Sequence, residues 1–347
     1  MKKNSLVLGL VSVTLAGFIF GGCAQKTQIR AIKSAKVTDK SIKNIGVAPF
    51  KNDDIAQASQ VDSAISNVEI KGKKYFNLVD RENINKVLAE KKLNDSGLVN
   101  LIKDNTSDGL SQIETLVTGK VNVSDMSTSK FQEGRTDYST CVQSYTRKGK
   151  RYCSKYRTYN VDCQANTYNV KTKVKLIKIS DASTTFADTY EASTKFKHCT
   201  DDSVVLPSKK EANSELAKII AHKLVVDIAP SYVYFTVTLL DDADVDMNKK
   251  QEKLLDNALK MIKHKRIEKA NEMLTKLNKQ LNSSSYVVLY DLAVTEESLG
   301  NVEKAYKLLK KAEDLALETE GVVDEIAIAM KRVKKNIAEK NKANKQL

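Results

Sequence analysis

Apolar and polar residues alternate with different rhythms along this chain, and each rhythm predicts a different kind of segment. After Lys2 and Lys3 the run Ser5–Phe20 carries no charge. It is shorter than the roughly 20 apolar residues a membrane-spanning helix needs, and Gly21-Gly22-Cys23 follows it. A basic start, a short apolar run and small residues at its end form a secretory signal over residues 1–22. Residues 23–41 are polar, lysine-rich and without period, which predicts a tether. From Ile42 short apolar runs alternate with helical patterns. Ile45-Gly46-Val47-Ala48-Pro49-Phe50 is a strand stopped by proline. Ile55, Ala58, Val61, Ile65 and Val68 have helical spacing. Tyr75–Val79 is a second strand, and Asp80 caps a helix with the stripe Ile84, Val87 and Leu88. A short helix near Leu98–Ile102 precedes a third strand, Ile113–Val123, with Gly119 inside it. Strand, helix, strand, helix, strand is an α/β signature.

A tyrosine-rich basic stretch, 136–166, interrupts this order and is expected as an insertion at about 131–165. Tyr168, Val170, Thr172, Val174 and Leu176 then alternate with polar residues, and Phe186, Tyr190 and Ala192 do so beyond a turn at Ser180-Asp181-Ala182. An amphipathic helix over 210–228 ends before Pro230, and Tyr232–Leu240 is a last strand. The acidic break Asp241–Asp246 marks the end of an α/β domain spanning 42–240. Residues 247–343 read as helical throughout. Leu289, Leu292, Ala293, Gly300, Ala305, Leu309 and Ala312 resemble a tetratricopeptide repeat. A weaker copy about 35 residues earlier carries Leu254, Ala258, Ala270 and Leu274, with Lys265 where the glycine belongs. A final helix over 322–339 caps the stack.

Charge and cysteines narrow the chemistry. The net charge is +14 and lysine dominates it. An exported chain rarely meets nucleic acid, so none is expected as a partner. Anionic headgroups or peptidoglycan carboxylates suit the charge, as does plain solubility. Apart from Cys23 there are four cysteines, Cys141, Cys153, Cys163 and Cys199, an even number that predicts two disulfides in an oxidising compartment. Zinc is the rival, but no Cys-x-x-Cys occurs and His198 is the only histidine near the cluster. The pairing follows from register. With the hairpin centred on Asp181, Leu176 faces Phe186 and Thr172 faces Tyr190, which collects apolar residues on one face. Cys163 then falls opposite Cys199, and Cys141 is left with Cys153 across the basic turn Arg147–Lys150.

Two resemblances follow. Gly21-Gly22-Cys23 resembles the lipobox of bacterial lipoproteins, with Phe20 where that motif prefers leucine, which implies a lipid on Cys23. Ala24 after it, rather than aspartate, favours the outer membrane. The blocks Ile45–Phe50, Tyr75–Arg81, Ile84 to Leu93, Ser96-Gly97-Leu98 and Leu116–Val121, in that order, resemble the CsgG family of curli-secretion lipoproteins. The likeness covers 42–230 and excludes the helical tail. It implies a CsgG-like sheet flanked by helices, and a periplasmic lipoprotein of secretion or envelope assembly. Family members send two hairpins per subunit through the outer membrane. The corresponding stretches here, Ser124–Asn166 and Lys195–Glu211, are rich in charge, so a soluble periplasmic member without a pore is expected. Asp80 and Arg81 are read as a cap and an ion-pairing residue, not as catalysts. With no nucleophile–base pair, phosphate loop or metal cluster in the sequence, the chain is read as non-enzymatic and without cofactor. It is expected to act through protein partners bound by the helical tail, with homo-oligomerisation possible. Activator lipoproteins of peptidoglycan synthases resemble the same fold and are the alternative.

Overall fold

The computed structural model describes residues 25–79 and 113–347. The signal, Cys23, Asp80, Arg81 and the two short helices expected between residues 80 and 102 lie outside the described residues. The chain is mixed α/β, mostly helical toward its C-terminus, and it divides into two units.

The α/β unit comprises Ile32–Tyr232 and Glu339–Leu347. Among the described residues its sheet has five strands: β2 (Asn44–Val47), β5 (Asn77–Leu78), β6 (Thr115–Arg147), β7 (Lys150–Lys178) and β8 (Thr184–Cys199), in the order β5-β2-β6-β7-β8. Two more short strands, β3 (Glu69–Ile70) and β4 (Lys73–Lys74), form a separate hairpin. β2 lies parallel to both β5 and β6, whereas β6, β7 and β8 run antiparallel. The register of β7 with β8 pairs Leu176 with Phe186, Thr172 with Tyr190 and Cys163 with Cys199, as the apolar pattern requires. The single irregularity, between Leu176 and Ile177, sits on the turn side and leaves the far end aligned.

One face of this sheet packs on α1 (Gln57–Ser66) and α2 (Lys209–Ile228). Asp53 starts α1 by accepting the Gln57 and Ala58 N–H groups. Ser208 and Glu211 form a capping box on α2. Val61, Ile65, Val117, Tyr168, Val174, Leu216 and Ile220 belong to the core between the layers. Gln57 is fully buried there, and both ends of its amide are used: it donates to the Ala217 carbonyl (2.9 Å) and accepts from Thr172 Oγ1 (3.2 Å). Gly119 allows close approach. A Cβ there would stand 2.5 Å from the Phe50 ring and 2.8 Å from the Lys173 carbonyl oxygen.

The last residues of the chain complete this unit. The Gln346 side chain accepts from the Ala35 N–H (3.0 Å) and donates to the Ala35 and Val37 carbonyls (both 3.1 Å). Glu339 accepts from both the N–H and the hydroxyl of Ser34. The boundary at Asp241–Asp246 therefore omits one part of the α/β unit.

The helical unit holds Val233–Ala338 together with residues 25–31. The segment expected as a tether departs from that reading. Its residues Lys26–Lys33 form strand β1, which pairs with β9 (Ser231–Thr238) in a two-stranded sheet. Thr27, Ile29 and Ala31 are buried in alternation, a period-2 signal too short to stand out among lysines and arginine. Four helices follow, α3 (Lys249–Lys263), α4 (Ile267–Gln280), α5 (Tyr286–Ser298) and α6 (Val302–Thr319), and then α7 (Asp324–Gln346), whose residues from Glu339 onward belong to the α/β unit. Gly300 ends α5 in the left-handed region (φ 84°), and Lys265 adopts the same region (φ 59°) at the corresponding point after α3.

Helix α5 is buried on nearly all sides and carries three acidic residues inward. Glu297 is held by Arg332 through three hydrogen bonds, from Nε and Nη2, and by Asn336 (2.7 Å). Burial pushes Glu296 up, but Lys304, Asn271 and Asn301 outweigh it and hold the carboxyl below its usual range. Asp291 is different. It accepts only the Leu240 N–H, and its other oxygen has no partner among the described residues. Burial pushes its carboxyl well above the usual range, the Leu240 N–H offsets part of this, and the charge of Asp241 adds to it.

Two outcomes are expected. Gly119→Ala should destabilise the α/β unit by about 1–3 kcal/mol in urea unfolding, and shortening the ring with Phe50→Leu should recover part of that loss. Because the folded-state pKa of Asp291 is raised, its contribution is fully present below the unfolded value near ~4 and is lost as pH rises through the folded value. Asp291→Asn should therefore gain on the wild type as unfolding is measured from pH 4 to pH 8. A difference that stays constant with pH would contradict this.

Candidate functional site

The feature that stands out from the body is the far half of the β6–β7 hairpin. The stretch expected as an insertion is instead a continuation of two core strands, one ladder running from Thr115–Lys178 to Arg147–Lys150. β8 accompanies it only as far as Cys199, opposite Cys163, which itself pairs with Phe131. From there to Arg147 the two strands run on alone for roughly 50 Å at ~3.3 Å per residue. Most side chains on this arm are exposed.

A free two-stranded hairpin is marginal in water, so something must brace it. At its root Cys163 and Cys199 form a disulfide with Cα atoms 4.0 Å apart, in a small buried cluster with Val161. Around that bond Glu133 accepts from Lys197 (2.6 Å) and Arg135 (2.9 Å), and Arg135 Nε donates to Asp201 (3.1 Å). Hydrogen bonding from the Lys197 ammonium holds the Glu133 carboxyl below its usual range. Asp202 caps the Cys199 N–H (2.9 Å). Further out Cys141 and Cys153 form the second disulfide, with Cα atoms 5.8 Å apart, across a stretch where the ladder is irregular. Two tyrosine pairs flank it: Tyr138 meets Tyr156 edge-on at 5.1 Å, and Tyr145 stacks on Tyr152 at 5.6 Å. The arm ends in Lys148-Gly149, both in the left-handed region (φ 50° and 73°), the two-residue turn whose twist matches paired strands.

All four cysteines expected as disulfide partners are thus joined, Cys163 with Cys199 and Cys141 with Cys153, as an extracellular or periplasmic protein allows. Disulfide sulfurs are not thiolate ligands, so of the groupings Glu133–Cys163–Cys199 and Cys199–Asp201–Asp202 only the carboxylates remain as donors. Cys23 lies outside the described residues. The ion cluster Glu133–Arg135–Lys197–Asp201 carried no sequence signal, because its members are up to 68 positions apart and join only through the β8 register. No helix among the described residues is long and apolar enough to cross a membrane.

No family model matches the chain, and no curated protein matches it. Among solved structures the PelC dodecamer from Paraburkholderia phytofirmans is similar over 59% of this chain and 97% of that one, at 8% identity and a TM-score of 0.25. At that score the likeness assigns neither fold nor function.

The exposures of the two disulfides differ, and their chemistry should follow. Cys199 is fully buried and Cys163 nearly so, whereas Cys141 is exposed. Mild reductant and alkylation should label Cys141 and Cys153 first, with Cys163 and Cys199 labelled only on unfolding. Replacing Cys163 and Cys199 by alanine should cost about 2–5 kcal/mol, and replacing the outer pair should change the arm's protease sensitivity rather than the body's unfolding midpoint.

Proposed function

We propose that this chain is a lipoprotein of the bacterial envelope, anchored through lipid on Cys23 to the periplasmic face of the outer membrane. In this reading it serves secretion or envelope assembly through protein contacts rather than catalysis. The observation that supports it best is the arm: a long, exposed, disulfide-braced hairpin built for an oxidising compartment and offering strands and side chains for contact, not an enclosed pocket. The sequence blocks resembling the CsgG family, and the tetratricopeptide-like spacing of the helical segment, support an assembly role and a partner-binding tail. Charge on the arm disfavours a membrane-spanning barrel, since lysine and arginine at mid-bilayer are costly. The protein therefore acts beside the membrane and does not form a channel.

Cys23→Ser should leave the protein unprocessed or released from membranes, and mass spectrometry of the wild type should find acylated Cys23 at the mature N-terminus. An unmodified mature N-terminus elsewhere would refute the anchor. Crosslinking in intact cells followed by affinity capture should recover secretion or assembly proteins. Recovery of a peptidoglycan synthase instead would move the protein to wall synthesis, and reproducible channels in planar bilayers would refute the absence of a pore.

A further inference from the structure

Charge is distributed unevenly along the arm. From Tyr138 to Asn160 there are six cations and no carboxylate. The acidic residues sit nearer the body: Glu133 and Asp201 are tied to Arg135 and Lys197, and Asp137 is spent on Ser139 and Thr140. Four of the six cations, Arg147, Lys148, Lys150 and Arg151, surround the Lys148-Gly149 turn at the far end. Arg151 donates to the uncharged Ser144 hydroxyl (2.8 Å), and none of the four makes an ion pair among the described residues. One ladder step behind Arg147 and Lys150 stand Thr146 and Arg151, and behind those the stacked rings of Tyr145 and Tyr152, each about half exposed (51% and 44%).

The shape of this end selects its partner. Two strands about 4.8 Å apart, closed by a two-residue turn, make a narrow convex tip with cations pointing to several sides. A linear polyanion needs a stripe or groove that tracks its backbone. A convex tip offers neither, but it meets a broad, dense anionic surface with all four charges at once. Tyrosine rings just behind a basic end match the headgroup level of a bilayer, where amphipathic rings and cationic side chains collect. Cations at the tip also keep it out of the hydrocarbon, which makes the contact peripheral.

We infer that the tip of the β6–β7 arm is a membrane-surface contact, in which Arg147, Lys148, Lys150 and Arg151 bind anionic phospholipid headgroups and Tyr145 and Tyr152 rest among them. This contact does not depend on the lipid at Cys23, so the two ideas stand or fall separately.

The test uses the polypeptide 24–347, exported behind a cleavable signal so that it carries no acyl chain and keeps both disulfides. It should co-sediment with mixed phosphatidylglycerol–phosphatidylcholine vesicles and not with phosphatidylcholine alone, and binding should weaken as salt shortens the Debye length. Changing Arg147, Lys148, Lys150 and Arg151 together to glutamine should weaken binding at least ~10-fold. These positions are exposed turn residues, and peptide mapping checks that both disulfides remain. A second variant removes the same charge elsewhere, with Lys249, Lys307, Lys310 and Lys311 changed to glutamine, and should bind like the wild type. Equal loss in both variants would mean that net charge alone is responsible and would overturn the inference. So would vesicle binding without preference for phosphatidylglycerol, or tighter tip-dependent binding to heparin or duplex DNA than to vesicles.

Discussion

The ladder between β6 and β7 is one continuous structure held in two different ways, and most of the α/β unit depends on that continuity. Near the body its register is set by burial. Tyr168, Val170, Thr172, Val174 and Leu176 must all face α1 and α2, and a one-residue slip would turn them all to solvent. Further out no core enforces the register, and covalent and cross-strand contacts take over. The change of regime falls at Cys163, where the third strand ends and the ion cluster closes around the root. The buried half aligns the exposed half, and the disulfides keep that alignment where it would otherwise fray.

Much of this was legible in the sequence wherever burial imposed a period. The β7–β8 register, and with it the Cys163–Cys199 pairing, follows from alternation and one turn. The arm itself was not legible as a strand, because a strand exposed on both faces has no reason to alternate. Its residues look like an insertion until the pairing partner is known. β1 was missed for a related reason. Its buried side consists of Thr27, Ile29 and Ala31, modest residues between strongly charged neighbours. Lys265 shows the opposite case. The repeat spacing located the turn after α3, and the backbone adopts the left-handed form there without the glycine that would make it easy.

The helical unit carries its polarity inside. Glu296 and Glu297 are each surrounded by cationic and amide donors, so α5 is fixed in rotation as well as in position. A purely apolar helix would accept several neighbouring rotations at similar energy. Asp291 on the same helix has one N–H and an unpartnered oxygen, which makes it the weak member of an otherwise well-paired row.

The role of Gln346 bears on how the molecule is made. Its amide closes on Ala35 and Val37, and Glu339 on Ser34, so the α/β unit is assembled from segments more than 300 positions apart in the sequence. On the ribosome, residues 32–232 emerge long before the segment that completes them, and they cannot reach their final hydrogen bonding until residues 339–347 have been made. For that interval the nascent polypeptide lacks part of the hydrogen bonding that stabilises the finished unit.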